Sequence, residues 1–530
     1  MSEAPDIDPP AGPGDAASVL AALLAQGRLA EVVARGAPLA AREPPDFKLL
    51  CILGDAFSGL EKWDRASTCY ARALQIAPDD AAAYFNLGNC LFKLGRTNDA
   101  MGCYAECLKR DPQQAEAHGN LGMALLSLGR TEEAAAWCKK ATDIKPGFAE
   151  AHNNLGIAFS EMGRFEDAVI CFRNVLQLNP VNPDAHYNLG NALTDLGDLD
   201  AAIAIYRQAL EIKPDHAEAA CCLGLALVRQ NNFAEGWKYY EARKKMPSPA
   251  GDREFPQPLW LGKQNIAGKR IFLHWEQGFG DCLQFCRYAL QVRALGAEVV
   301  LSVLDPLLRL VSRMAPDIQV IGETAVPDDF DFHCPLMSLP LALGTTPDTI
   351  PAPIPYLSAD PTEALAWRHR LAALPGLKVG LVWAGGAMPE EPRVDRVEKR
   401  RSIMLDQFAP LARIPGISWI SLQKGERAAQ AKAPPEGMVL HDWTDELRDF
   451  ADTAALIEGL DLVISVDTST AHLAGAMGKP VWILNRFDQC WRWRRDRADS
   501  AWYPTARLFR QERPGKWEDV LALVARELAS

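Results

Sequence analysis

Residues 274–289 read HWEQGFGDCLQFCRYA and residues 466–480 read VDTSTAHLAGAMGKP. In the first, Gly278 and Gly280 allow close approach of a substrate, and Glu276 and Asp281 supply two carboxylates able to take a proton from a hydroxyl. A lone G-x-G is common, and Asp281 is also a good helix N-cap. In the second, Asp467, Thr468, Ser469 and Thr470 turn from an apolar run into a small-residue run containing His472. Hydroxyls and N–H groups at a helix N-terminus can receive a phosphate. Ser469, His472 and Asp467 also invite a hydrolase reading, but no G-x-S-x-G elbow surrounds the serine. Two basic stretches offer charge for an anionic leaving group: Arg393, Arg396, Lys399, Arg400 and Arg401 with Ser402 next, and Arg492, Arg494, Arg495 and Arg497. Trp491 and Trp493 beside them suit either a base or ribose, or the core.

These stretches need elements to position them. From about residue 260 the pattern alternates buried strands with helices. Strands are expected at 270–275, 298–303, 378–386, 418–425, 461–466 and 480–484, with helices near 282–295, 306–314, 405–412 and 449–458. Such alternation implies parallel sheets with helical crossovers, and in open parallel sheets ligands bind beyond the carboxyl ends of the strands. The Pro-rich segment TTPDTIPAPIPYL separates two Rossmann-like units, expected at 260–358 and 376–530. GxGD then lies at the mouth of the first, and DTST, with both basic stretches, at the mouth of the second. Asp329 and Asp331 form a D-x-D, but in DFDFHCPLMSLP they suit a strand edge rather than a metal site.

The first half repeats every 34 residues. Leu87, Leu121, Leu155, Leu189 and Leu223 are in step, as are Gly88 to Gly224 and Pro78 to Pro214 at the same interval, with an aromatic at Tyr70, Tyr104, Phe172, Tyr206 and Tyr240. Each unit is two antiparallel helices. A second small position, at Gly95, Gly129, Gly163 and Gly197, is expected to let them approach, and the proline to end the second. This pattern resembles the tetratricopeptide repeat (TPR), with six units from about Phe47 and a degenerate seventh upstream, marked by Pro44. A superhelix over 16–246 with a protein-binding groove follows, then a linker at 247–259. Asn86, Asn120, Asn154 and Asn188 form a 34-residue ladder of carboxamides that can bracket an extended peptide or hold the repeats together. His118, His152 and His186 would stand about 10 Å apart on successive helices, too far for one ion, and read as packing or groove residues.

At net charge -12, with both signs dispersed, nucleic acid and anionic lipid are not default partners. The first 15 residues, acidic and Pro/Gly-rich, read as a disordered tail rather than a signal peptide. No apolar run spans a membrane, and thirteen cysteines without CxxC pairs suggest neither disulfide framework nor zinc site, so a cytoplasmic location is expected.

D-T-S-x-x-H-L-A-x-A-x-G-x-P resembles the donor-site motif of GT-B glycosyltransferases of the heptosyltransferase type, and strand, G-x-G-D, helix resembles their acceptor-side entry. With the repeats, the chain from about 47 to 530 resembles bacterial TPR-glycosyltransferases, which include flagellin glycosyltransferases; the O-GlcNAc transferase superhelix carries a similar Asn ladder. The resemblance implies a multidomain chain, an all-α TPR superhelix followed by an α/β GT-B fold. It implies a nucleotide-sugar substrate, no cofactor or required metal, and inversion through a general base. By position Asp281 matches the base, and Asp467, Thr468 and His472 the donor motif. The turn after V-W-A-G departs from the family, lacking its Asn and His, so Arg401 and Ser402 carry over better than the residues between Gly386 and Lys399. The function expected is transfer of sugar to Ser or Thr of a protein held by the repeats, flagellin being one candidate. The alternatives are a glycan or lipid-linked acceptor, or a TPR adaptor with a decayed transferase half.

Overall fold

The computed structural model describes residues 13–41, 44, 46–248, 250–251, 253–351, 353–386, 398–488, 490–494 and 497–530. Residues 1–12, most of the expected tail, lie outside them, as do Arg393, Arg396 and Arg495. The chain divides into two units, Met1–Ala185 and His186–Ser530.

The first unit is all helical. The pairs Phe47–Gly59/Trp63–Ile76, Ala81–Lys93/Thr97–Arg110, Ala115–Ser127/Thr131–Ile144 and Ala149–Glu161/Phe165–Leu178 follow the 34-residue period. Upstream, Pro13–Ala25 and Leu29–Ala40 form a further helix pair where the repeat signature has faded. Asp46 and Asp80 cap the first helices of their pairs by accepting from the N–H of Leu49 (3.0 Å) and Ala83 (2.7 Å).

The two glycine series do different work. A Cβ on Gly88 would stand 2.7 Å from the Tyr104 ring, and one on Gly156 would stand 2.7 Å from Phe172, so this glycine seats the aromatic of the second helix. The other glycine turns the chain: Gly95, Gly129 and Gly163 have φ of 75°, 72° and 73°, with nothing within 4 Å of an added Cβ. The expectation that this second glycine lets the helices approach is corrected accordingly.

The second unit begins within the helix Pro183–Leu196, which pairs with Leu199–Ile212; the pair Ala217–Arg229/Phe233–Tyr240 follows, and the chain continues into two parallel sheets. The first contains β1 (Arg270–His274), β2 (Glu298–Ser302), β3 (Gln319–Ile321) and β4 (Phe332–Pro335), in the order β3-β2-β1-β4. The second contains β5 (Leu377–Val382), β6 (Ile417–Ser421), β7 (Leu440–Asp442), β8 (Leu462–Val466), β9 (Val481–Asn485) and β10 (Ala506–Arg510), in the order β10-β9-β8-β5-β6-β7. Every strand pair within both sheets is parallel. Counted from its own first strand, the six-stranded sheet has the doubly wound order, which reverses between β5 and β8; the smaller sheet reverses between β1 and β4.

Within 247–259, which reads as a linker, Phe255 lies against the smaller sheet. Phe255 packs on Phe272, His274, Phe330 and His333. One buried core holds Phe233, Trp237 and Tyr240 of the last repeat together with Trp260, Ile271, Trp491 and Trp502. The last repeat of this unit therefore shares its interior with the sheets.

Candidate active site at the mouths of two parallel sheets

The chain leaves β1 through Trp275 to Gly278 and enters the helix Phe279–Phe285, on which Asp281 and Gln284 lie one turn apart. It leaves β8 through Asp467 and Thr468 into the helix Ser469–Ala476. Each turn thus follows a strand at which its sheet reverses, where α/β sheets take their ligands.

These two turns meet. A Cβ on Gly280 would lie 2.9 Å from His472 Cδ2, so the bare glycine lets the helices close on each other. The small residues of AHLAGAMG serve the same packing: a Cβ on Gly475 would stand 2.5 Å from the Tyr503 ring. Tyr503 in turn holds His472, with its hydroxyl 2.9 Å from Nδ1. Trp493 stacks on the imidazole at 5.4 Å between centroids, and Nε2 lies 4.0 Å from Asp467 Oδ1. Burial first, then the Arg492 charge, lowers the His472 pKa to about 3 despite Asp467, so the ring is neutral at ordinary pH.

Arg492 joins the two mouths. Its guanidinium donates to the Asp281 carboxylate and to the Gln284 side-chain oxygen, and Nη1 lies 3.1 Å from Cys490 Sγ. Burial opposes the charge, but Cys490, Asp281 and Asp467 outweigh it and hold the pKa above its ordinary value. Gln284 is fully buried, and its Nε2 has no hydrogen-bond partner.

The third arm follows β5. A Cβ on Gly385 would run into the Glu398 carboxylate at 2.2 Å, so the WAGG turn needs glycine to pass that group. Glu398 accepts from Arg401 Nε (2.6 Å) and from the Ser402 hydroxyl (2.7 Å), and Gly385 N–H donates to Ser402 Oγ at 3.3 Å. Burial works against the Arg401 charge, yet Asp467 and Glu398 raise its pKa. Asp467 thereby ties this arm electrostatically to the DTST turn. Thr468 is the N-cap residue of Ser469–Ala476 but its side chain makes no cap bond; its hydroxyl lies 2.9 Å from Ser465 Oγ. Thr468 thus leaves that helix N-terminus uncapped by its own side chain, and the terminus has the polarity an anion requires.

Other expected residues are placed elsewhere. Glu276 is held by Arg243 from the turn after the last repeat, at 2.5 Å from Nε and 3.1 Å from Nη2, and Arg243 also donates to Glu241 and Ser338. Glu276 is thus a structural ion-pair partner in this fold. Trp491 is built into the core, edge-on to Trp237 at 5.4 Å and to Trp502 at 5.8 Å, and so does not offer its face to a base. Asp329 and Asp331 pair with Arg270 and Lys269 at the start of β1. Asn86, Asn120 and Asn154 lie half-buried in the first unit, and Asn188 half-buried in the second. Asn120 donates to Asn89 Oδ1 at 2.8 Å, an oxygen that also accepts from the Tyr104 hydroxyl, so this rung ties one repeat to the next. His118 and His152 are tied by Nε2 to the carbonyls of Pro112 and Pro146, both at 2.9 Å, as packing residues are.

Sequence reading missed Gln284, Arg287, Glu398, Gln423 and Tyr503. Gln284 and Arg287 continue the spacing of three from Asp281, a signal that the helix carries more than one polar residue toward the same side. Buried Arg287 binds Trp502 O and the Tyr356 hydroxyl, both at 2.8 Å. Gln423 accepts from the N–H groups of Trp383 and Ala384 and so fixes the β5 turn. Nothing local in the sequence announces Glu398 or Tyr503.

Among the described residues there is no group of three or more His, Cys, Asp or Glu arranged to hold a metal ion, and no helix is long and apolar enough to cross a membrane.

Tetratricopeptide-repeat family models match residues 92–147, 153–217 and 195–249, and a TPR-repeat model matches 54–95. Protein FlbA of Caulobacter vibrioides is 29% identical over 327 residues, which are 57% of this chain and 53% of FlbA. The chain thus spans about half the length of that curated relative. Among solved structures, MamA is 23% identical over 32% of this chain and 94% of its own, with a TM-score of 0.30. YrrB, described as a TPR protein with an unusual peptide-binding site, is 22% identical over 35% of this chain and 95% of its own, with a TM-score of 0.31. The helical part of the chain thus carries tetratricopeptide repeats, which lead into an α/β region of parallel sheets.

Proposed function

We propose that the chain is a GT-B glycosyltransferase, metal-independent and inverting, that moves a sugar from a nucleotide-sugar donor to a Ser or Thr hydroxyl of a protein held by the repeats. The observation that carries this reading is the meeting of the GxGD and DTST turns, with Arg492 bonded to Asp281 on the opposite side. A proton acceptor and a cation for a leaving phosphate then stand within one side chain of each other. In the reaction the acceptor oxygen attacks the anomeric carbon from the face opposite the leaving group. Asp281 takes the hydroxyl proton, the bond from carbon to phosphate oxygen breaks, and the nucleotide departs with the electron pair. Arg492, Arg401 and the N-terminus of Ser469–Ala476 receive the developing negative charge, the task a divalent cation performs in other transferases.

His472 contributes as a neutral ring. When Tyr503 donates to Nδ1, the proton sits on Nε2, and that N–H can donate a hydrogen bond to a phosphate or sugar oxygen. The repeats support a protein acceptor, since such arrays present extended surfaces for other chains. Flagellin is the first acceptor to try.

The test is purified full-length protein incubated with a panel of nucleotide sugars, reading nucleotide release, with intact mass of co-expressed acceptor proteins as the second readout. Turnover that Asp281→Asn abolishes supports the reading. Failure of the wild type to bind or hydrolyse any nucleotide sugar overturns it.

A further inference from the structure

Asp281 offers a base whose oxygen is already taken. Its Oδ1 accepts from Arg492 Nη2, although under the proposed function both residues have other work to do. The Arg243–Glu276 pair is a useful contrast. There Arg243 has five bonds to four residues, side-chain exposures are 5% and 13%, and Ser338 and Glu241 lock the guanidinium from the other side. Asp281 is more open, at 21%, and its partner is anchored by weaker groups: a neutral amide oxygen, a thiol and the face of Trp491 at 4.4 Å.

The second observation is Gln284. The bond from Arg492 Nε identifies its oxygen, and so leaves its Nε2 as the buried donor with no acceptor. An unsatisfied buried donor costs free energy on the order of 1–3 kcal/mol. An anion seated beside Arg492 would satisfy it. Phosphate is the better match for a guanidinium as well, because it offers several oxygens to the planar fork and carries more charge than a carboxylate.

We propose that Arg492 changes partners during the cycle: it occupies Asp281 while the donor site is empty, and the phosphate of an incoming nucleotide sugar draws it away and frees the carboxylate. This rests on the glycosyltransferase reading and adds a condition to it. The base is unmasked only when a leaving group is in place, and Gln284 serves as a positioning residue that holds the guanidinium in its resting place and donates to the phosphate afterwards. The opposing turn is close at hand, since a Cβ on Gly280 would stand 2.9 Å from His472 Cδ2.

Carbodiimide-promoted coupling of glycine ethyl ester to the full-length protein, read residue by residue by peptide mass spectrometry, reports how free each carboxylate is. Asp281 in the wild type should label slowly alone and several-fold faster with pyrophosphate or a nucleoside diphosphate, while Glu276 stays slow in both. Arg492→Gln should label fast at Asp281 without any anion. An Asp281 rate in the wild type that pyrophosphate and the nucleoside diphosphates leave unchanged or reduce overturns the partner exchange, and that measurement does not depend on the variant folding. Loss of the parent reading would show separately, as absence of nucleotide-sugar turnover by the wild type.

Discussion

Gly280 and His472 touch across the two sheet mouths: a Cβ on the glycine would stand 2.9 Å from the imidazole Cδ2, although the residues are far apart in sequence. The glycine's backbone is not in the left-handed region, so the requirement is steric. Gly280→Ala should push the imidazole off Tyr503 and Trp493, costing about 1–3 kcal/mol of stability as overpacking does. It should also reduce nucleotide-sugar turnover. Gly278→Ala is the control, because its Cβ would meet only Asp281 Oδ2, at 3.9 Å. Thermal melting and turnover of the two variants check this. Equal tolerance of both would mean that the close approach of the turns is not needed.

His472 and His274 make the protein acid-sensitive. Burial and the Arg492 charge lower the first to about 3; burial and the neighbouring His333 lower the second to about 3. In the unfolded chain a histidine takes its proton near pH 6.5. Between those values the unfolded state binds more protons, so stability is full above about pH 6.5 and declines as the pH falls, by up to about 1.4 kcal/mol per unit for each residue. Asp467, Arg492, Arg287, Arg401 and Tyr503 surround His472, and Asp467 alone among these charges resists the shift. Urea midpoints at pH 7 and pH 5 should differ in the wild type and differ less in His472→Gln. An identical pH slope in both would remove His472 from the account.

How much of this was legible depends on the distance over which each feature is determined. The repeats, the two turns and most strands are written locally, as a 34-residue period or as an apolar run ending in glycine or hydroxyl residues. β3, β7 and β10 were not expected; all three are edge strands, two of them only three residues long. The surroundings of Glu276 and Trp491 were not legible for a different reason. Both are set by Trp237 of the last repeat and Arg243 of the turn after it, which no spacing rule connects to them. Tyr503 reaches His472 from 31 positions away by the same kind of long-range packing.

The shared core sets where the chain can be cut. Removing residues 1–246 would strip Phe233, Trp237, Tyr240 and Arg243 from the interior that also holds Trp260, Trp491 and Trp502. Loss of one such aromatic from a core costs about 3–5 kcal/mol, and several together exceed the stability of an ordinary domain. A fragment starting at Pro183, where the first helix of the second unit begins, should melt cooperatively by circular dichroism. A fragment starting at 247 should not. Donor hydrolysis without protein glycosylation is expected of the first fragment, and a cooperative melt of the second would show the repeat helices to be dispensable to the core.

Glu276 and Asp281 can be separated experimentally because their arginines differ in kind. Arg243 binds Glu276 deep in the fold, and removing one partner of a buried pair leaves the other charge uncompensated, at about 3–5 kcal/mol. Glu276→Gln keeps the hydrogen-bond shape but loses the charge, so its melting temperature should fall by several degrees while turnover per folded molecule survives. Asp281→Asn keeps an acceptor for Arg492 yet cannot take a proton, so the melt should be nearly unchanged while transfer falls by roughly 100-fold or more, the scale of a lost general base. The two variants should therefore fail in opposite assays. If Glu276→Gln instead loses transfer at full stability, the carboxylate beside Arg243 is the base and the Asp281 assignment falls.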